Sequence, residues 1–268
     1  LARTERQKVI VHRRVSFPIH RHILTKWKYG AGVDQYIAVA ECVRDRLIGI
    51  GVPKEKVTVI HSAVDLSRFS NTGQDTTVRE ELGLTEDRKI IGAVGRLTRE
   101  KRYDWLLDTL KPILESHPRC CLVLVGDGPE RGPLESRAER LGIRDQVIFT
   151  GHREDVPRLL AAFDIYVLCS ESEGYPVSLG EAMAAGCAVV SANVGGVSEI
   201  VTSGENGIVV LPNDAISLRD AVGVLLQNEQ LRMELGRAGQ ESAMKKIGTE
   251  AIVEAVLKLY NEVHIMGR

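Results

Sequence analysis

The chain has 268 residues, a formal net charge of −1, 44% hydrophobic residues and 26% charged residues. These are the proportions of an ordinary folded globular protein, with enough chain for one large domain or two small ones. A near-zero charge excludes a global basic field for nucleic acid, so any anion site must be local, and no apolar run approaches the about 18 residues of a membrane span.

The five cysteines, Cys42, Cys120, Cys121, Cys169 and Cys187, form no Cys-x-x-Cys pair and sit in apolar runs. They are expected to be buried free thiols in a reducing cytosol rather than a metal or disulfide framework. No signal peptide is visible. The first residue is Leu1, as expected of a processed, truncated or partial chain.

Short apolar runs follow one another along the chain. KVIVH (8–12), QYIAVA (35–40) and KVTVI (56–60) read as strands. So do KIIGAVG (89–95), CCLVLVG (120–126), QVIFTG (146–151), IYVLCS (165–170), CAVVSA (187–192) and GIVVL (207–211). Consecutive Val and Ile, rather than alternation with polar residues, predict strands buried on both faces, as in a parallel sheet. Helical patterns at 103–116, 132–141, 154–162, 176–185 and 215–226 lie between them. Strand and helix in alternation predict an α/β, Rossmann-like doubly wound parallel sheet, which binds ligands beyond the carboxyl ends of its strands. A polar stretch, SNTGQDT (70–76), marks a boundary, and the tail from about 228 to 265 reads as helix with charged faces.

Four loops at strand ends carry candidate chemistry. In GRLTREK (95–101), Gly95 permits a sharp turn, and Arg96 and Lys101 could clamp a pyrophosphate, the first as a fork and the second as a point charge. Two solvated surface cations are the alternative. In GDGPER (126–131), Gly126 serves either a close backbone approach to a ligand or a turn with positive φ; the third glycine of a dinucleotide fingerprint is absent. In FTGHREDV (149–156), the backbone near His152 and Arg153 could line a base pocket, and Asp155 could cap the next helix. In SESEGYPVSLGEAMAAG (170–186), Gly174 and Pro176 place Glu173 on a loop and Glu181 one turn into a helix. Between them lie the free N–H groups of a helix N-terminus, which favour an anion.

Together these segments resemble the nucleotide-binding half of a retaining GT-B glycosyltransferase of family 4. The resemblance runs through GRLxxxK, VGDGPER, VxFxG, SEGYP with its Glu-x7-Glu spacing, EAMAAGxAVV, then Gly195, Gly196 and Glu199 in GGVSEIV, and SGENGIVV. It covers about residues 34 to 265. VIHSAVDLSRF (59–69) resembles the segment joining the family's two domains, with Ser62-Ala63 where Asn-Gly is common; in QYIAVAECVRDRL (35–47), Ala40 replaces a frequent Ser.

The resemblance implies three parts: 1–72 as the remnant of an N-terminal acceptor domain, 73–245 as the nucleotide-sugar domain, and 246–268 as a helix packing back toward the first. It implies that Arg96 and Lys101 hold the donor diphosphate and stabilise the leaving group. Glu181 would bind the ribose and Glu173 the donor sugar, with Gly95, Gly174, Tyr175, Pro176, Val177, Gly126 and His152 lining the donor. One of His12, Arg13 or Arg14 would face the sugar. No metal or other cofactor is expected besides a UDP-, GDP- or ADP-sugar donor. The expected acceptor is a glycan or lipid of the cell envelope, and the expected location is cytoplasmic, at the inner membrane face. A full family member has a larger first domain, so this chain is expected to bind donor and transfer poorly. A sugar-nucleotide epimerase and a non-catalytic nucleotide-sugar-binding fragment are the competing readings; a glycoside hydrolase using Glu173 and Glu181 would leave the phosphate clamp without purpose.

Overall fold

The computed structural model describes residues 7–16, 29, 32–69 and 76–265. Among these, three strands form one parallel sheet in sequential order: β1 (Ile10–Arg13), β2 (Gln35–Ala38) and β3 (Val57–Val59). Six more form a second parallel sheet: β4 (Lys89–Val94), β5 (Cys120–Val125), β6 (Val147–Gly151), β7 (Ile165–Leu168), β8 (Ala188–Ala192) and β9 (Ile208–Val210). Their order is β6-β5-β4-β7-β8-β9, so the winding reverses between β4 and β7.

The apolar runs form these strands because both faces are covered. Every residue of β5, β7 and β8 is buried. In β4, Ile90 belongs to the core on one side of the sheet, with Cys121, Leu160 and Leu179, while Ile91 belongs to the core on the other, with Leu106, Leu122 and Leu218. Each such fully buried aliphatic side chain contributes about 2 kcal/mol. The covering helices are the crossovers: α1 (Glu41–Gly49) in the first sheet, α2 (Thr76–Glu81) before β4, then α3 (Tyr103–Ser116), α4 (Arg131–Leu141), α5 (Val156–Ala162), α6 (Val177–Ala184) and α7 (Val197–Ile200). The strands stop one or two residues short of several of the apolar runs, because residues such as Gly95 and Gly126 already belong to the loops that leave the ladder.

The tail is helical: α8 (Ala215–Gln227), α9 (Glu229–Lys246) and α10 (Thr249–Ile265). α9 stays with the second sheet, with Leu235 in its core, whereas Leu259 and Val263 of α10 pack on Ile37 and Ile60 of the first. The chain therefore crosses between the sheets twice, and the two crossings are bonded together. Val64 N–H donates to the carbonyl of Ile247 at 2.8 Å, and Thr249 Oγ1 donates to the carbonyl of Val64 at 3.2 Å.

The five cysteines are free and four are buried. Burial pushes the thiols of Cys120 and Cys169 up to about 12 and that of Cys121 to about 11, which makes them poor nucleophiles at neutral pH. No helix among the described residues is long and apolar enough to cross a membrane.

Candidate active site

The reversal between β4 and β7 sets the location. In an open parallel sheet, the connections from two neighbouring strands diverge at such a point and leave a crevice at the carboxyl edge. Here the diverging connections are Gly95–Arg102 after β4 and Cys169–Pro176 after β7. They are tied together by the N–H of Glu171, which donates to the carbonyl of Glu100 at 2.8 Å.

Lys101 ends a short 3-10 turn, Arg99–Lys101, and Arg102 then adopts a left-handed conformation with φ 56° before α3 begins. A non-glycine residue there is strained. Arg102 Nη1 donates to Oδ1 of Asn213 at 2.8 Å, and Asn213 is itself left-handed with φ 63°. Lys101 Nζ donates to Oε1 of Glu173 at 2.7 Å, with side-chain exposures of 21% and 13%. The cation proposed for phosphate and the carboxylate proposed for sugar hydroxyls are thus direct partners. A lysine has three donors, so this bond fixes one Glu173 oxygen and leaves two Lys101 donors for another anion. Arg96 is exposed and makes no ion pair among the described residues.

Glycines bring these loops into register. A Cβ on Gly95 would lie 2.9 Å from Oη of Tyr103 and 3.3 Å from Cε of Lys101. Gly126 has φ 134°, and a Cβ there would lie 2.1 Å from the carbonyl oxygen of Gly95. Its glycine requirement is thus met by protein backbone: the loops after β4 and β5 touch. Gly126 N–H also donates to the carbonyl of Gly151 at 2.9 Å, which brings the exposed His152 beside the same edge. Behind the acidic loop, Gly195 has φ 56° and no room for a Cβ, which would lie 2.0 Å from the carbonyl oxygen of Glu173; Gly196 N–H donates to the carbonyl of Gly174 at 2.9 Å.

Glu181 lies mid-way along α6, as the spacing predicts, with Pro176 at the N-cap, Val177 as the first helical residue and Gly186 left-handed just past the end. Its carboxylate has no hydrogen bond or ion pair among the described residues, and burial raises its pKa, with Arg68 opposing weakly. A half-buried, unpartnered carboxylate carries a desolvation cost that donors such as hydroxyl groups would relieve.

The first sheet closes one side. A Cβ on Gly174 would lie 2.7 Å from the carbonyl oxygen of Arg14, and the hydroxyls of Ser16 and Ser172 are 2.7 Å apart. Of the three basic candidates, His12 Nε2 pairs with the hydroxyl of Tyr260 at 3.0 Å and Arg13 donates to that of Tyr29 at 3.0 Å. Arg14, donating to Ser62 Oγ at 3.3 Å, is the one whose backbone reaches the acidic loop. A cavity of about 180 Å³ opens among His12, Arg13, Arg14, His61 and Ser62.

One sequence expectation is corrected. Asp155 occupies the N-cap position of α5 but its side chain does not cap the helix. Arg153 and Arg158 take the carboxylate instead, at 2.6 and 3.0 Å, and the Arg153 hydrogen bond holds it below its usual range. Sequence reasoning missed the contacts of His61, whose ring stacks on Tyr175 at 4.7 Å, and of Glu199, which accepts from the N–H of Glu41. The one available signal was Ala40, which leaves α1 without a capping side chain.

A cavity of about 600 Å³ at the opposite, amino edge of the sheet is lined by Arg79, Lys89, Asp164 and Arg232 among others. There Lys89 and Arg79 donate to Asp164 at 3.1 and 3.4 Å, so the charges compensate one another. Among the described residues no group of three or more His, Cys, Asp or Glu side chains is placed to hold a metal ion.

Solved structures share the fold. The chain is similar to Anabaena HepE in complex with UDP and glucose, with TM-score 0.88 and 24% identity over 96% of this chain and 72% of that one. It is also similar to the C-terminal domain of the Francisella tularensis group 1 protein LpcC, with TM-score 0.63 and 26% identity over 69% of this chain and 99% of that one. The fold is the parallel α/β, Rossmann-like architecture of GT-B glycosyltransferases.

The family follows from the sequence match. The model for glycosyl transferases group 1 matches residues 74–242, and the chain belongs to that family. Similar relatives include N-acetyl-alpha-D-glucosaminyl L-malate synthase of Bacillus anthracis, 29% identical over 86% of this chain and 60% of that protein. Another is the lipopolysaccharide core biosynthesis mannosyltransferase LpsB of Rhizobium meliloti, 27% identical over 77% of this chain and 61% of that protein. The chain thus spans about 60% of the length of these curated relatives.

Proposed function

We propose that the chain provides the donor side of a retaining GT-B glycosyltransferase of family 4, which moves a sugar from a nucleoside-diphosphate sugar to a hydroxyl of a cell-envelope glycan or lipid at the inner membrane face. The observation that carries this reading is the ion pair between Lys101 and Glu173 at the switch point, with Arg96 exposed on the same loop as Lys101 and Glu181 unpartnered on the next helix. Cations for a diphosphate thus stand beside carboxylates for hydroxyls, which is the polarity of a nucleotide sugar.

In the reaction the bond between the anomeric carbon and the β-phosphate oxygen breaks, and its electron pair stays on the phosphate. Arg96 and Lys101 neutralise the developing charge, so their contribution is greatest in the transition state. Glu173, oriented by Lys101, holds sugar hydroxyls, and Glu181 holds the ribose. The acceptor oxygen bonds to the anomeric carbon on the face the phosphate leaves, and its proton passes to that phosphate. The products are the glycoside and a nucleoside diphosphate.

Calorimetric titration of the chain with UDP, GDP and ADP tests the reading. One nucleotide should bind, and Arg96→Ala and Glu181→Ala should each weaken it. Failure of all three to bind would overturn the donor assignment.

A further inference from the structure

Helix α1 begins without a cap of its own. Its N-cap residue is Ala40, whose backbone is extended and whose side chain accepts no hydrogen bond. The acceptor comes from the other sheet's domain: Oε1 and Oε2 of Glu199 accept from the N–H of Glu41 at 3.0 and 3.2 Å. A carboxylate satisfies an otherwise orphaned donor there and complements the helix dipole.

Glu199 reaches the acidic loop by two further routes. Its Oε2 is 3.7 Å from Nδ1 of His61. His61 is held by donating from Nδ1 to the carbonyl of Val39 at 3.1 Å, and its ring lies over buried Tyr175 at 4.7 Å and 15° between planes. On the same turn, Gly196 is wedged between Ala40 and Tyr175: a Cβ on it would lie 3.1 Å from Ala40 Cβ and from Tyr175 Cδ2. One carboxylate therefore joins the first sheet's helix, the first sheet's imidazole and the second sheet's Gly174–Tyr175 loop.

We propose that Glu199 is a positioning residue: by lending α1 the cap that Ala40 cannot supply, it locks the two domains at this seam and holds His61 over Tyr175, which sets the pose of the loop at 172–177. The proposal rests on the reading of that loop as the donor-sugar site. A merely structural cap predicts something different, since any capping side chain at position 40 would then replace Glu199.

The test separates the two. Amide hydrogen exchange of the full 268-residue chain is compared for wild type, Glu199→Ala and Glu199→Ala with Ala40→Ser. Glu199→Ala should speed exchange in the first turn of α1 and in loop 172–177. Adding Ala40→Ser should restore α1 while the loop still exchanges about tenfold faster than wild type, the size of a modest coupling between sites. Loop exchange unchanged in Glu199→Ala, or restored along with α1 by Ala40→Ser, overturns the proposal. Should Glu199→Ala fail to fold, His61→Ala leaves the cap in place and decides the matter: a faster loop with unchanged α1 supports it, an unchanged loop sinks it. Exchange needs no ligand, so absence of UDP, GDP and ADP binding by wild type would remove the donor reading while this measurement still decides the coupling.

Discussion

Lys101 Nζ and Glu173 Oε1 meet at 2.7 Å although they lie 72 positions apart and leave different strands. The pair makes the phosphate side and the sugar side of the proposed donor site a single electrostatic unit. Lys101→Ala removes a phosphate donor and also leaves a largely buried carboxylate unpaired. It should weaken binding of the preferred nucleoside diphosphate by about 30-fold, the worth of one charge-assisted hydrogen bond. Glu173→Gln removes a negative charge beside the Lys101 cation, so diphosphate binding should be no weaker while sugar-nucleotide binding is weakened. Calorimetry with both ligands checks the split; equal losses for both ligands in Glu173→Gln would refute the assignment of that carboxylate to the sugar.

Arg96 offers a cleaner case, because its exposed side chain makes no ion pair among the described residues and only weakly favours the nearby Glu100 carboxylate. Arg96→Ala should leave the thermal midpoint unchanged while weakening nucleoside diphosphate binding by about tenfold or more. The loss should shrink as salt is raised, since an exposed cation is screened. Titrations at two ionic strengths measure this.

Glu181 should trade stability against binding. Burial raises its pKa in the folded chain, so between the unfolded value and the raised folded value the native state holds more protons than the unfolded one. Stability contributed through this group therefore falls as pH rises through that window and stays lower above it. Glu181→Gln should accordingly be more stable than wild type at neutral pH, by about 1 kcal/mol, and should lose that advantage below the unfolded carboxyl range. The same variant should bind nucleotide less well. Thermal melts across roughly pH 3.5 to 7.5, which spans carboxyl titration, test the sign.

Glycine substitutions should separate loop register from ordinary turn strain. Gly195→Ala drives a Cβ to within 2.0 Å of the Glu173 carbonyl oxygen, so it should displace the acidic loop and abolish sugar-nucleotide binding. Gly142→Ala meets nothing within 4 Å and bears only the strain of φ 73°. It should cost about 1 kcal/mol of stability and leave binding intact. Melting curves and titrations of the two variants make the comparison.

Much of the second sheet was legible in the sequence because two-face burial writes itself as unbroken Val and Ile. The loops at strand ends were legible because Gly, Pro and paired charges are restricted in what else they do. Strand order was not, since nothing in IYVLCS says that it lies beside KIIGAVG rather than beside its sequence neighbour QVIFTG. The pairing of Lys101 with Glu173 was invisible for the same reason: each residue could be assigned to a ligand, but not to the other. Asp155 misled because a capping residue at the right position had two arginines within reach, and charge-assisted bonds outcompete a neutral N–H. The seam through Glu199 was hidden because a helix capped from another domain looks, in sequence, like a helix with a poor start.

The bond between Val64 and Ile247 gives the molecule a mechanical property. Two connections that pass between domains side by side, stitched together at one point, act as a single pivot rather than as two independent tethers. Sliding and twisting would tear the stitch, whereas rocking about it would not. Such a rocking motion would part the contacts across the two sheets, Ser16 with Ser172 and the Glu199 cap on α1 among them, and under the proposed function the donor would enter between the parted surfaces.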